Sequence, residues 1–436
     1  MTIGILGGGI SGLSLAYFLQ HDHGISDYEI LEKSESCGGL CTTFEKNGFL
    51  YDIGGHIIFS SNKDILKFEI DLLGDKGHKK RRSNKIWYKN RFVKYPFENG
   101  LYALDKEEIF ECLRDYLQNN HRKPTNLKEW VYYTFGTSLA EKYLLPYNEK
   151  IWKIDPALMG MEWVERIPKP PVEDVIKSAI GIETEGYTHQ LYFHYPKKGG
   201  FQTLIRTFEE KISNIKTNKE VKSIYREGKT WKVQTNNSLH TYDELISTLS
   251  LHDIVKFVKD KLPPDINQAI MDLRYNSMAV VMVGLNKVKH KDLTAIYVPD
   301  KESLAHRYCF SAGFSEHLSP PGCSSIFAEI TYHPNSDLAK AKDEEFVNKT
   351  VWWLQKEGFI EKGEVCETDI KRLKYAYPVY DLNYTKNINK IYSYFDKLGI
   401  HLLGRFAQFI YINSDVCIAN AKKLAEKISS GIRLVY

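Results

Sequence analysis

The chain is 436 residues long and 43% apolar, enough for two or three domains or one large interleaved fold with a substantial core. Lysines and arginines number 59 against 55 aspartates and glutamates, a balance that excludes a whole-molecule field drawing the protein to nucleic acid. The seven cysteines form no metal-like cluster, because the closest pair, Cys37 and Cys41, fits neither a zinc ribbon nor a thioredoxin-type motif; free thiols in a reducing cytoplasm follow.

The N-terminal run "MTIGILGGGISGLSLAYFL" has no basic leader, and glycines interrupt it. No other stretch approaches the roughly 20 apolar residues of a membrane span, so the expectation is a cytoplasmic protein without stable membrane insertion. That same run predicts a strand over Ile3–Leu6, a glycine turn and a helix. Gly7, Gly9 and Gly12 form G-x-G-x-x-G: a tight turn, a close approach for a pyrophosphate, and close packing of helix on strand, with Ser11 on the helix that begins there. A second strand, "YEILEK", ends at Glu32, twenty residues past Gly12, where a carboxylate accepts hydrogen bonds from a ribose.

A second glycine set follows: Gly38, Gly39 and Leu40, then "YDIGGH" with Gly54, Gly55 and His56. Paired glycines let backbone pass close to a flat ring system, and this continuation resembles that of amine-oxidase-like flavoproteins, which implies FAD rather than NAD. Ser138 with Glu141 reads as a capping box, predicting a helix that runs towards Leu145 and stops at Pro146. Asn148 and Trp152, four apart, then share one side of the next turn. "DELISTLSL" (Asp243–Leu251) predicts the return of the nucleotide-binding sheet, and "IHLLGRFAQFIYINSDVCIANAKKLAEKI" supplies a last strand, a turn and a final helix aimed at the cofactor. The fold class expected is α/β: a discontinuous Rossmann-like FAD domain (residues 1–65, 195–255 and 395–436), an inserted, mainly helical domain (66–194) and an antiparallel or mixed sheet domain (256–394).

Seven motifs in order carry a more specific resemblance. They are "GFLYDIGGHIIFS", "KYPFEN", "EWVYYTFGTSLAEKYLLPYNEKIW", "MEWVERI", "YPKKGGFQTLI", "YAYPVYD" and "GRFAQFIYINSD". Together they resemble the UDP-galactopyranose mutase family, in particular its eukaryotic-type branch. The resemblance implies an isomerase that interconverts pyranose and furanose forms of a nucleotide sugar through attack of reduced FAD N5 on the anomeric carbon, with NADPH or NADH as reductant and a place in cell-surface polysaccharide biosynthesis.

It also implies roles. Arg166 and Arg307 match the diphosphate arginines, a task suited to a planar guanidinium. Tyr377 and Tyr411, with Tyr297, match hydroxyl donors to phosphate. Tyr95, Phe97 and Tyr143 are expected to sandwich the base, although Glu98 stands where the family commonly has glutamine, and a carboxylate only accepts hydrogen bonds. Asn148 and Trp152 match a pair near the sugar. His56 and Gly55 match the pair against the flavin ring, and Arg82 an arginine linked to its reduction. Arg405, Asn413 and Asp415 are expected on the cofactor. The partners expected are a nucleotide sugar and, as an option the sequence leaves open, further copies of the chain. The alternative is an oxidoreductase resembling amine or protoporphyrinogen oxidases, which predicts an apolar substrate cavity.

Overall fold

A computed structural model describes residues 1–185, 191–259 and 262–431. Its first layer is a five-stranded parallel sheet in the order Ile400–Leu402, Glu244–Ser247, Ile3–Leu6, Tyr28–Leu31, Ile215–Lys216. The central strand, Ile3–Leu6, is buried along its whole length, as a parallel strand covered on both faces must be. The helix Ile10–His23 leaves that strand through the glycine turn and packs against the final helix, Ser414–Ser429. Chain segments more than 150 residues apart therefore meet in one nucleotide-binding layer.

The second layer is a seven-stranded sheet ordered Val365–Val379, Arg274–Leu285, Ser324–Tyr332, Arg307–Phe310, Ala295–Tyr297, Asn84–Tyr88, Arg91–Lys94. Its pairs are antiparallel except that Ala295–Tyr297 runs parallel to Asn84–Tyr88. The last two strands come from the segment expected to be mainly helical, so that segment is mixed: it edges the sheet and then supplies the helices Lys106–Leu117, Leu127–Leu139, Leu145–Trp152 and Val172–Ala179. Residues 186–190, which also belong to it, lie outside the described residues. A three-stranded antiparallel sheet (Val221–Glu227, Thr230–Thr235, Leu239–Tyr242) sits beside the nucleotide-binding layer.

The helix around Pro146 departs from expectation. It does not stop there. One π turn, Ala140–Leu144, joins Leu127–Leu139 to Leu145–Trp152, and the wider turn, in which the Leu145 N–H reaches back to the Ala140 carbonyl, absorbs a proline that has no N–H to donate. Ser138 and Glu141 form no capping box either. The real interruption lies earlier, at Gly136 (φ 74°), and the helix restarting there is capped from outside: Asp115 accepts hydrogen bonds from the Ser138 N–H (3.1 Å) and hydroxyl (2.5 Å). Glu141 instead accepts from the Tyr132 hydroxyl.

Candidate functional site

Both layers face a cleft of about 1150 Å³, which exceeds the ~300–1000 Å³ of an ordinary small-molecule pocket. One end is the glycine turn. Gly7 adopts φ 103°, a conformation that favours glycine, and a Cβ on Gly12 would lie 2.2 Å from the Gly7 carbonyl oxygen, so helix and strand meet at a distance only glycine permits. A Cβ on Gly9 would meet nothing within 4 Å, because that residue opens on the cleft. Glu32 lines this end, one carboxylate oxygen accepting from the Gly8 N–H and the other from the Ser34 N–H, each at 2.8 Å. Spare lone pairs remain on both oxygens for a ribose.

Two helices begin at the cleft. Neither Gly9 nor Asn413, their N-terminal caps, is bonded to its helix by a side chain, so free backbone N–H groups and both helix dipoles are available to a diphosphate. Ser11, Gly38, Gly39, Leu40, Asn413 and Ser414 line the same wall. Asp415, one residue further round the helix, does not; it is buried beside Glu69 on the helix Lys63–Leu73, which is the correction to its expected cofactor contact. Arg405 lines the cleft with its Nε donating to the Ile412 carbonyl (2.8 Å). At the centre lie Gly54, Gly55 and His56. Burial, with Arg405 and Arg307 nearby, pushes the His56 imidazole down to about 3, and its buried Nδ1 has no hydrogen-bond partner. An orphaned ring nitrogen, uncapped helix ends and a cradle of glycines fit a dinucleotide carrying a flat ring system, as FAD does.

Arg166, Arg307, Tyr95, Tyr297, Tyr377 and Tyr411, the residues expected to face a substrate, line the same cleft. The two arginines differ. The Arg166 guanidinium lies 4.7 Å above the Tyr411 ring and 5.9 Å from Trp163, and among the described residues no carboxylate pairs with it. Arg405 covers the same Tyr411 ring at 4.4 Å, and Tyr377 stacks on it at 5.4 Å. Arg307 is committed: its Nε and Nη2 grip the two oxygens of Glu329 at 2.8 and 2.7 Å, and Glu329 is 0% exposed. Glu329 also accepts from the Gly55 N–H (2.9 Å), so one carboxylate fixes both the arginine and the turn beside His56. Burial pushes the Tyr377 hydroxyl well up, and it stays a donor at neutral pH. Arg82 approaches the Tyr297 hydroxyl at 3.3 Å, and Tyr95 stacks on Tyr297 at 4.8 Å.

Four expected substrate residues are elsewhere. Phe97 and Tyr143 are buried and stacked directly on one another at 5.1 Å, leaving no slot for a base between them. Asn148 and Trp152 satisfy each other: the Trp152 Nε1–H donates to Asn148 Oδ1 (3.1 Å), and the Asn148 amide donates to the Leu144 carbonyl (2.8 Å). Trp152, 1% exposed, abuts Trp163, Tyr377 and Tyr411 from behind. The face this helix turns to the cleft carries Tyr147 and Ile151.

Sequence reasoning missed Tyr147, His306 and Glu329, all of which line the cleft. Glu329 had a signal. It is the one carboxylate in the otherwise apolar strand "SSIFAEITY", and a charge buried there requires a partner.

A family model described as flavin containing amine oxidoreductase matches residues 10–385. The chain is 21% identical over 443 aligned residues to the UDP-galactopyranose mutase of Mycoplasma genitalium, across 98% of this chain and 94% of that one. Its fold superposes on a crystal structure of reduced UDP-galactopyranose mutase with a TM-score of 0.91 at 22% identity, over 99% of this chain and 96% of that one. For a candidate protoporphyrinogen oxidase from Exiguobacterium the TM-score is 0.76 at 21% identity, over 99% of each chain. The expected resemblance and fold class are borne out. No helix among the described residues is long and apolar enough to cross a membrane.

Proposed function

The chain belongs to the flavin containing amine oxidoreductase family, and on that premise we propose that it is a flavin-dependent nucleotide-sugar mutase, interconverting the pyranose and furanose forms of UDP-galactose or a related nucleotide sugar. The observation that carries this reading is the Arg166 guanidinium, resting on the Tyr411 ring with no carboxylate beside it among the described residues, in a cleft it shares with Arg307. An unpaired cation held on an aromatic face in a partly closed cleft is ready for an anionic ligand. A diphosphate leaving group is the anion this chemistry requires, since charge develops on it as the bond to the sugar breaks. The names of the curated relative and of the solved mutase structure support the same substrate class.

Bound FAD, in its reduced form, supplies the nucleophile for the anomeric carbon without net redox change. The chain's own residues bind, orient and exclude. Arg166 leaves the Tyr411 face for the phosphate oxygens. Arg307, held by Glu329 through Nε and Nη2, keeps Nη1 for the same anion. Tyr377 donates its hydroxyl, and His56, kept neutral by burial, adds no charge beside the ring system. Tyr95 and Tyr147 are the flat faces that line the cleft for the base. NADPH or NADH is the expected reductant. The oxidase alternative calls for an apolar cavity; Arg82, Arg166, Arg307 and Arg405 in one cleft give it no support.

The test is an anaerobic screen of dithionite-reduced protein against UDP-, GDP- and dTDP-linked hexoses, with the nucleotide sugars separated afterwards. A new isomeric nucleotide sugar is the expected result. Turnover that appears only when oxygen is admitted would assign the protein to the oxidases instead.

A further inference from the structure

A second cluster with catalytic geometry lies outside the substrate wall. We propose that Ser238, His240 and Glu29 form a hydrolytic site for small carboxylic esters. Ser238 Oγ lies 2.7 Å from His240 Nε2, and His240 Nδ1 lies 2.7 Å from Glu29 Oε2. This is the order a serine nucleophile needs: a hydroxyl, a base within hydrogen-bond reach, and a carboxylate that fixes the tautomer of the base. The surrounding contacts orient the chain of protons. Tyr242 also donates its hydroxyl to Glu29 Oε2, so that oxygen is anchored from a second side. Glu29 being an acceptor, the shared proton sits on His240 Nδ1, and Nε2 is left to accept from Ser238. Ser238 Oγ also accepts from Lys219 Nζ at 3.3 Å and lies 3.1 Å from Thr235 Oγ1; the shorter contact, 2.7 Å to His240 Nε2, takes its hydrogen.

The position suits a reagent from solvent. Ser238 closes the tight turn between the strands Thr230–Thr235 and Leu239–Tyr242 and is partly exposed, whereas the His240 and Glu29 side chains are only 13% and 22% exposed. The nucleophile thus stands at the surface and its supporting groups behind it. One donor stands beside it for a developing oxyanion, the Lys219 ammonium, 3.3 Å from the hydroxyl oxygen. Lys219 also lines the Glu32 end of the large cleft, so the ester would be bound at the rim of that end.

The step balances without a cofactor. Ser238 Oγ attacks the carbonyl carbon while its proton passes to His240 Nε2. The ester's alkoxide leaves with that proton as an alcohol. Water, deprotonated by His240, then cleaves the acyl–serine ester and returns the hydroxyl to Ser238.

The test treats flavin-loaded protein with a fluorophosphonate probe and maps the label by peptide mass spectrometry, alongside hydrolysis of p-nitrophenyl acetate. The expected result is a label on Ser238, with both labelling and hydrolysis falling ~10²-fold or more in His240→Ala, the loss characteristic of removing a general base. Ser238→Ala should abolish the label while flavin content and nucleotide-sugar turnover stay at the wild-type level. No label on Ser238, or a label whose rate His240→Ala does not change, would overturn the proposal. The wild-type mapping alone decides if either variant fails to fold.

Discussion

Two arginines that look interchangeable in sequence occupy opposite electrostatic situations. Arg166 rests on Tyr411 and Trp163 with no carboxylate partner among the described residues, so Arg166→Ala should leave the thermal midpoint close to wild type while lowering kcat/KM by about 2–4 kcal/mol of transition-state stabilisation. Arg307 neutralises a carboxylate that is 0% exposed. Removing it strands that charge, and Arg307→Ala should lose roughly 3–5 kcal/mol of stability as well as activity. Adding Glu329→Gln to that variant should restore most of the stability and none of the activity, as read by urea unfolding and by product formation. An unchanged stability in Arg307→Ala would mean that the pair does not exist in solution. The sequence offered both arginines, because their motifs are local. It did not offer the difference, because the Arg307 partner lies 22 residues away and meets it only through strand pairing.

Elements set the next limits. The glycine turn was legible because its demands are met within a dozen consecutive residues. Gly12→Ala should therefore yield protein without flavin, checked by absorbance of the purified protein, since the added methyl meets the Gly7 carbonyl oxygen at 2.2 Å. The helix running towards Leu145 was legible, its continuation past Pro146 to Trp152 was not, and the side carrying Asn148 and Trp152 was misread as facing the sugar. The i,i+4 spacing of Asn148 and Trp152 says that they share a side but not which side, and tertiary packing turned that side inward, where each satisfies the other. Glu98 belongs to the same buried neighbourhood. Burial raises its carboxyl to about 7, and one of its oxygens has no partner. Between its unfolded value near 4.5 and its folded value, the unfolded chain has released the proton and the folded chain retains it. Stability therefore falls as pH rises through that window, by on the order of 3 kcal/mol in all. Glu98→Gln should flatten this slope and be more stable than wild type at pH 8. A parallel pH dependence in both proteins would contradict it.

At the scale of the molecule, function depends on two sheets built from distant segments meeting over one cleft. Charge balance, the returning strands Glu244–Ser247 and Ile400–Leu402 and the final helix were readable in order, and the parallel sheet assembles them as neighbours. The far edge of the other sheet was not readable. Asn84–Tyr88 and Arg91–Lys94 sit in a segment dominated by helical patterns, and their partner Ala295–Tyr297 lies some 200 residues on. The central claim is that this assembly grips a diphosphate above a reduced flavin and rearranges the sugar without consuming electrons. Its most direct measurement is an anaerobic reaction with a large excess of nucleotide sugar over protein reduced once with dithionite, following flavin absorbance and product together. The account predicts many products per flavin with the flavin still reduced at the end. One product or fewer per flavin, or product in step with flavin reoxidation, would contradict it.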